Sequence, residues 1–177
     1  GLGKPLKIIN HLVREEIPIA IASLGPKSVE TTAEIADAWL PAFYTPEAAE
    51  AVWGESLKTG QKLRDPNRAV LDIFAGGAVG IGPRMEPHRE KGRAGAALYI
   101  GGMGARSKNF YNDIFSKSGY AEEAKLIQDL YLSGKKDAAA AAIPEDYLAK
   151  SSLIGEEAFV TDRINALKES GVTTLNV

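Results

Sequence analysis

The chain has 177 residues, 45% hydrophobic and 25% charged, with a formal net charge of −2 from 21 basic and 23 acidic side chains. That length suits one domain over residues 1–177 with a sizeable core. The near-neutral charge and the scattered Lys and Arg leave no strong field for nucleic acid or an anionic membrane surface. Cysteine is absent, so disulfides and thiolate metal sites are excluded, which fits a reducing cytoplasm.

The chain opens GLGKPLKII, without Met and loop-like over residues 1–5. It closes on VTTLNV, a strand-like run, and the two ends together predict a piece of a longer protein. The neighbouring acids Glu15 and Glu16 read as a solvated loop. Ile17–Leu24 is an apolar run of strand length, broken by Pro18 and Ser23, and predicts a strand buried on both faces of a parallel sheet. Pro18 fits near the first residue of that strand. Ser28–Asp37 carries Val29, Ala33 and Ala36 at helical spacing. Ala38–Tyr44 reads as a second strand, stopped by Thr45-Pro46, which starts a helix running to Leu63. Residues 64–67 read as a turn and Ala69–Phe74 as a third strand, followed by a loose stretch holding Gly76, Gly77, Gly80 and Gly82.

Over Glu86–Tyr99 the glycines Gly92 and Gly95 weaken a helical reading, and Gly101–Gly104 reads as a loop. Asn109–Lys117, Ala121–Ser133, Lys135–Ile143 and Glu156–Ser170 read as helices, and Gly171 stops the last of them before a final strand. Strands alternating with helices imply a parallel α/β sheet with right-handed crossovers. The stretch from Glu86 to Ser152 is too long for a plain crossover and predicts an inserted helical subregion.

Three stretches invite a chemical reading. In Leu24-Gly25-Pro26-Lys27-Ser28, a strand ends in a tight turn at a helix N-terminus, where unpaired amides and the positive end of the peptide dipoles suit an anion such as phosphate. The amides of Lys27, Ser28 and Val29 are expected to point outward, with Lys27 adding a cation. An ordinary β-to-α turn capped by Ser28 explains the same residues, and Glu30 counts against an anion. Asp72–Gly82 is glycine-rich but lacks G-x-G-x-x-G spacing, and Pro83 interrupts the helix such a loop should feed. In Gly101–Tyr111, Arg106 and Lys108 beside Phe110 and Tyr111 suit an anion or a ring, or simply a helix start with surface cations. His11 and His88 have no partner at metal-ligand spacing, so no metal is expected. Ser23 lacks the G-x-S-x-G elbow of a nucleophile.

The segment IPIAIASLGPKSVETTAEIADAWLP, followed by YTPE, resembles the luciferase-like flavin and deazaflavin oxidoreductases, and within them the F420-dependent branch. ARSKNFYNDIFSKSGYAEEAKLIQDLYLSGKKDAAAAAIP, SLIGEE and GVTTLNV extend that likeness from Pro18 to Val177. The resemblance implies an α/β fold of (β/α)8 TIM-barrel type with a helical insertion, of which this chain supplies only the C-terminal part. It implies F420, or alternatively FMN, at the C-terminal ends of the strands. It places the cofactor phosphate at Ser23, Gly25, Pro26, Lys27 and Ser28, and turns the anion reading of that turn into the favoured one. Tyr44, Gly76 and Gly77 are weaker candidates for the ring or substrate side. The reaction implied is hydride transfer to or from a small organic substrate. No catalytic residue is named, because the first barrel strands have no counterpart in this chain. The alternatives are an FMN-dependent monooxygenase of the same group and a non-catalytic barrel fragment. An open barrel exposes strand edges, so a homo-oligomer is expected. Neither nucleic acid nor membrane is expected as a partner.

Overall fold

The computed structural model describes residues 3–4, 9–14 and 16–177. Gly1, Leu2 and Pro5 of the expected opening loop, and Glu15 of the acidic pair, lie outside the described residues. The described strands are β1 (Ala20–Ala22), β2 (Ala38–Leu40), β3 (Asp72–Gly76), β4 (Val79–Ile81), β5 (Leu153–Gly155) and β6 (Thr174–Asn176). The α-helices are α1 (Pro26–Ile35), α2 (Pro46–Leu63), α3 (Gly92–Gly102), α4 (Phe110–Phe115), α5 (Ala121–Leu132), α6 (Lys136–Ala141), α7 (Glu145–Lys150) and α8 (Glu157–Glu169).

Four strands form a wholly parallel sheet in the order β1-β2-β3-β6, and β4 pairs in parallel with β5. Parallel strands with intervening helices are the expected α/β architecture. The strand segment 72–81 changes neighbours midway: Phe74 pairs with Thr174, whereas Val79 pairs with Leu153. Two glycines make the switch possible. A Cβ on Gly76 would lie 2.4 Å from the Asn176 carbonyl oxygen, and one on Gly77 would lie 2.5 Å from that of Ser151. Backbone approach this close is open only to glycine.

Helices α1, α2 and α8 cover one face of the sheet. Their Val29, Ala33, Trp53, Val160 and Leu167 pack against Trp39, Ala75 and Leu153 of the strands. Trp39 and Trp53 meet edge to face, with centroids 5.3 Å apart. Pro46 starts α2 as its first residue, where a missing N–H costs nothing. At the far end of α2, Arg64 donates to the carbonyls of Ala33 and Ala36 at 3.0 and 2.7 Å, satisfying the end of α1. Helices α3 to α7 make the inserted subregion, with its own core of Ile100, Phe115, Ile127 and Tyr147. Phe43, just past β2, packs against both cores.

The run Ile17–Leu24 yields only a three-residue strand, and Ile17 and Ile19 are exposed. As a sheet edge, β1 lacks the neighbour on its far side that would bury them. The closing strand β6 is likewise exposed along its length. Two strands form where the sequence pattern shows none: β4 inside the glycine-rich stretch, and β5 between α7 and α8. Glu86–Tyr99 is helical, a 3-10 turn over Glu86–Lys91 leading into α3, which also absorbs Gly101 and Gly102. Gly92 and Gly95 stand in α3 because packing outweighs a propensity cost of about 1 kcal/mol each.

Candidate functional site

The Gly25 turn lies at the C-terminal end of β1 and opens α1. Gly25 is the N-cap residue, extended at φ −73° and ψ 150°, with no side-chain cap, and Pro26 is the first helical residue. Ser28 is therefore not the cap. Its hydroxyl instead donates back to the Gly25 carbonyl at 2.8 Å. The Val29 amide is also not free, since it donates to the Gly25 carbonyl at 2.9 Å as the first helical bond. Among the described residues, no acceptor meets the amides of Gly25, Lys27 and Ser28. These are the orphan donors that a helix N-terminus presents to an anion.

Buried bonds hold the turn in place. Thr32 donates its hydroxyl proton to the Ser28 carbonyl at 2.7 Å, so in the Ser23–Thr32 pair, 2.8 Å apart, the Ser23 hydroxyl is the donor. Ser23 thus binds β1 to α1 and keeps its proton from any ligand. Trp39 Nε1 donates to the Ser23 carbonyl at 2.9 Å, and Trp53 Nε1 to the Leu24 carbonyl at 3.2 Å. Lys27 is almost wholly exposed and pairs with Glu30 at 2.7 Å. A surface pair of this kind is worth little, so its ammonium can be diverted to an incoming anion.

Beside the turn lies a crevice of about 430 Å³, within the size range of small-molecule sites. Its sheet-side wall is Ile21–Gly25, Ser28, Leu40 and Ala42; its other wall is Phe110 and Tyr111 from the insertion. A Cβ on Gly25 would come within 3.2 Å of the Phe110 ring. Three unpartnered amides, a glycine at the point of closest approach and an aromatic wall are a fit for a phosphate with an organic body attached.

Tyr44, Gly76 and Gly77 do not line this crevice. Tyr44 is buried against Trp53, ring planes 5° apart, and its hydroxyl donates to Ser170 at 3.0 Å. Burial holds its phenol above the usual tyrosine range. Gly76 and Gly77 press on backbone, as described above. Of the cations in the third sequence stretch, Arg106 pairs with Asp129 and stands apart from the crevice, while the adjacent Phe110 and Tyr111 enter it. The two tryptophan donors escaped the sequence reading, since nothing in spacing shows where an indole N–H points. Among the described residues no three His, Asp or Glu side chains converge as a metal site, and no helix is long and apolar enough to cross a membrane.

The sequence profile of the luciferase-like monooxygenases matches residues 4–174. The chain belongs to that family. Among its relatives is Rv3520c of Mycobacterium tuberculosis, named as a coenzyme F420-dependent oxidoreductase; the two are 34% identical over all of this chain and 51% of the relative. The 5,10-methylenetetrahydromethanopterin reductase of Archaeoglobus fulgidus is 25% identical over 89% of this chain and 46% of its own. The coenzyme F420-dependent tetrahydromethanopterin reductase from Methanopyrus kandleri superposes with a TM-score of 0.67 at 23% identity, over 90% of this chain and 44% of that one. An F420-dependent secondary alcohol dehydrogenase, solved with an F420-acetone adduct, gives 0.58 at 15% identity, over 91% and 42%. At these identities the superpositions establish the fold, and with it the parallel α/β architecture of the luciferase-like enzymes. The chain spans about half the length of the curated relatives it matches.

Proposed function

We propose that this luciferase-like chain serves an F420-dependent oxidoreductase and holds the cofactor's phosphate at the Gly25–Ser28 turn. The observation that carries the reading is the set of unpartnered amides at Gly25, Lys27 and Ser28, in a turn whose Gly25 and Ser28 line the crevice. Three unpartnered N–H groups at a helix N-terminus suit a phosphate without side-chain rearrangement. Phe110 and Tyr111 then exclude water from the organic part of the tail, and Lys27 supplies an adjustable charge. When bound, the deazaflavin supplies hydride transfer to or from a small organic substrate. The names of the relatives support F420 over FMN. The free edges of β1 and β6 support assembly with further strands, from a second copy or from the rest of a barrel.

The test is direct titration of the full-length polypeptide with F420 and with FMN, followed by absorbance and fluorescence. F420 is expected to bind and FMN to bind more weakly. Gly25→Val, which drives a branched side chain at the Phe110 ring, is expected to abolish binding while Lys27→Gln weakens it only a few-fold. Unchanged F420 affinity in a folded Gly25→Val protein rejects the assignment.

A further inference from the structure

A second cavity, of about 520 Å³, opens between the β4–β5 pair, the 3-10 turn 86–91 and the end of α7. It shares no lining residue with the crevice at Gly25. Val79, Met85, Leu148 and Ile154 give it an apolar wall, Arg89 and Lys91 give it positive charge and hydrogen-bond donors, and His88 adds an imidazole to the lining. No carboxylate lines it. The hydroxyls of Ser151 and Ser152 both turn to the Leu148 carbonyl, leaving the basic side chains as the groups able to recognise a ligand.

Arg89 is held ready. Its Nε donates to the Ile154 carbonyl at 2.8 Å, and its guanidinium lies over the Phe159 ring, 4.4 Å from the centroid. Gly155 leaves room for it, since a Cβ there would be 2.8 Å from Nη2. Among the described residues Arg89 has no ion-pair partner, and Nη2 is buried without a hydrogen bond. Nη1 is unbonded as well, and it is not among the buried atoms. Lys91, two residues on, likewise has no ion-pair partner among the described residues. Arginine fixed by packing and left without a counter-charge on a cavity wall is an arrangement that a bound anion completes.

We propose that this cavity binds an amphipathic organic anion, a carboxylate or phosphate on a small apolar body. Arg89 and Lys91 take the charged head, and Val79, Met85, Leu148 and Ile154 take the body. Full-length protein is titrated by calorimetry with hexanoate, butyl phosphate, hexanol and inorganic phosphate. Hexanoate and butyl phosphate should both bind, and the tighter of the two identifies the head group. Hexanol and inorganic phosphate, each lacking one half of the ligand, should bind about tenfold more weakly or worse. Arg89→Met should cost the organic anions about tenfold. Because Arg89 also supports Ile154, Lys91→Gln serves as a second variant, at a side chain with no hydrogen bond or ion pair among the described residues, and should weaken binding about threefold. Hexanol binding as well as hexanoate overturns the proposal, and so does hexanoate affinity unchanged in Lys91→Gln and in folded Arg89→Met. Gly25→Val should leave hexanoate binding intact, so the fate of this site is separable from that of the cofactor turn.

Discussion

The indole Nε1 of Trp39 donates to the carbonyl of Ser23 at 2.9 Å, and both residues are buried. Trp53 repeats the contact one peptide later, on the Leu24 carbonyl. Trans peptides are planar, with C=O and N–H opposed. A Leu24 carbonyl drawn toward the core therefore turns the Gly25 N–H away from it, so Trp53 aims that donor and Trp39 anchors the peptide just before it. Trp39→Phe keeps most of the ring and removes the donor. It is expected to lower unfolding stability by about 1–3 kcal/mol, the cost of leaving a buried carbonyl unpaired, and to weaken F420 binding in protein that remains folded. Denaturant midpoints and a cofactor titration check the two effects, and parental stability together with parental affinity would remove the anchoring role of Trp39.

Asn109 caps α4 with two bonds and reaches α3 with two more. Its Oδ1 accepts from the amides of Tyr111 and Asn112, and its Nδ2 donates to the carbonyls of Tyr99 and Ile100, each at 3.0 Å. This one buried side chain ties the end of α3 to the start of α4, and so sets Phe110 and Tyr111 on the crevice wall. Asn109→Ala is expected to cost about 2–4 kcal/mol, as a lost cap plus unpaired buried groups. Asn109→Asp keeps the cap acceptor but points a charge at two carbonyls, and should be no better than Ala. Thermal unfolding compares them, and an Asp variant near the parent would contradict the donor half of this account.

Legibility followed locality. Pro46–Leu63 was readable because Thr45-Pro46 and the turn at residues 64–67 punctuate it at both ends. The Gly25 turn was readable because a strand, a glycine, a proline and a helix follow one another within a few residues. What depends on distant partners was not. Strand β5 is three residues long and exists because Leu153 finds Val79, far away in sequence. Ile17 and Ile19 read as core because an apolar run carries no sign of being at a sheet edge. Tyr44 read as a site residue from its place at a strand end, and the partner that engages its hydroxyl, Ser170, lies 126 residues on. Arg89 left no signal at all, since its meaning is a missing counter-charge in three dimensions.

Asp37 gives the sheet a pH dependence. The Ile19 amide donates to its Oδ2 at 2.8 Å and Arg68 pairs with Oδ1 at 3.0 Å. The backbone bond from Ile19 lowers its carboxyl pKa most; desolvation opposes it, and the hydrogen bond and charge of Arg68 add to the lowering, so the carboxyl lies below the usual range. The folded pKa is below the unfolded one, so the stabilisation is complete above the unfolded value of about 3.9 and fades as pH falls through the folded value. Asp37→Asn should lower the melting temperature at pH 7, and the gap to the parent should close as the pH drops below that of an ordinary aspartate. A gap that stays constant down to strongly acidic pH would show that the charge of Asp37 contributes nothing.

Phe43 has a positive φ of 60°, alone among the described non-glycine residues. Side chains resist that conformation by roughly 1–2 kcal/mol, so something must hold it. The ring does: it packs on Tyr99, Tyr111 and Tyr147 of the insertion, with centroids 5.9, 5.5 and 6.2 Å away, while also touching the core beneath the sheet. The contacts that join insertion to sheet thus sustain the strained turn after β2. Removing the ring leaves the strain without its compensation, and the usual ranking of small residues should invert. Phe43→Ala and Phe43→Gly lose the same aromatic contacts, but glycine adopts positive φ freely. The glycine variant is therefore expected to be the more stable by about 1 kcal/mol, measured as a difference in urea midpoint at unchanged slope. Alanine equal to or above glycine would mean that the chain after β2 relaxes to negative φ once the ring is gone, and that Phe43 only fills space between the two cores.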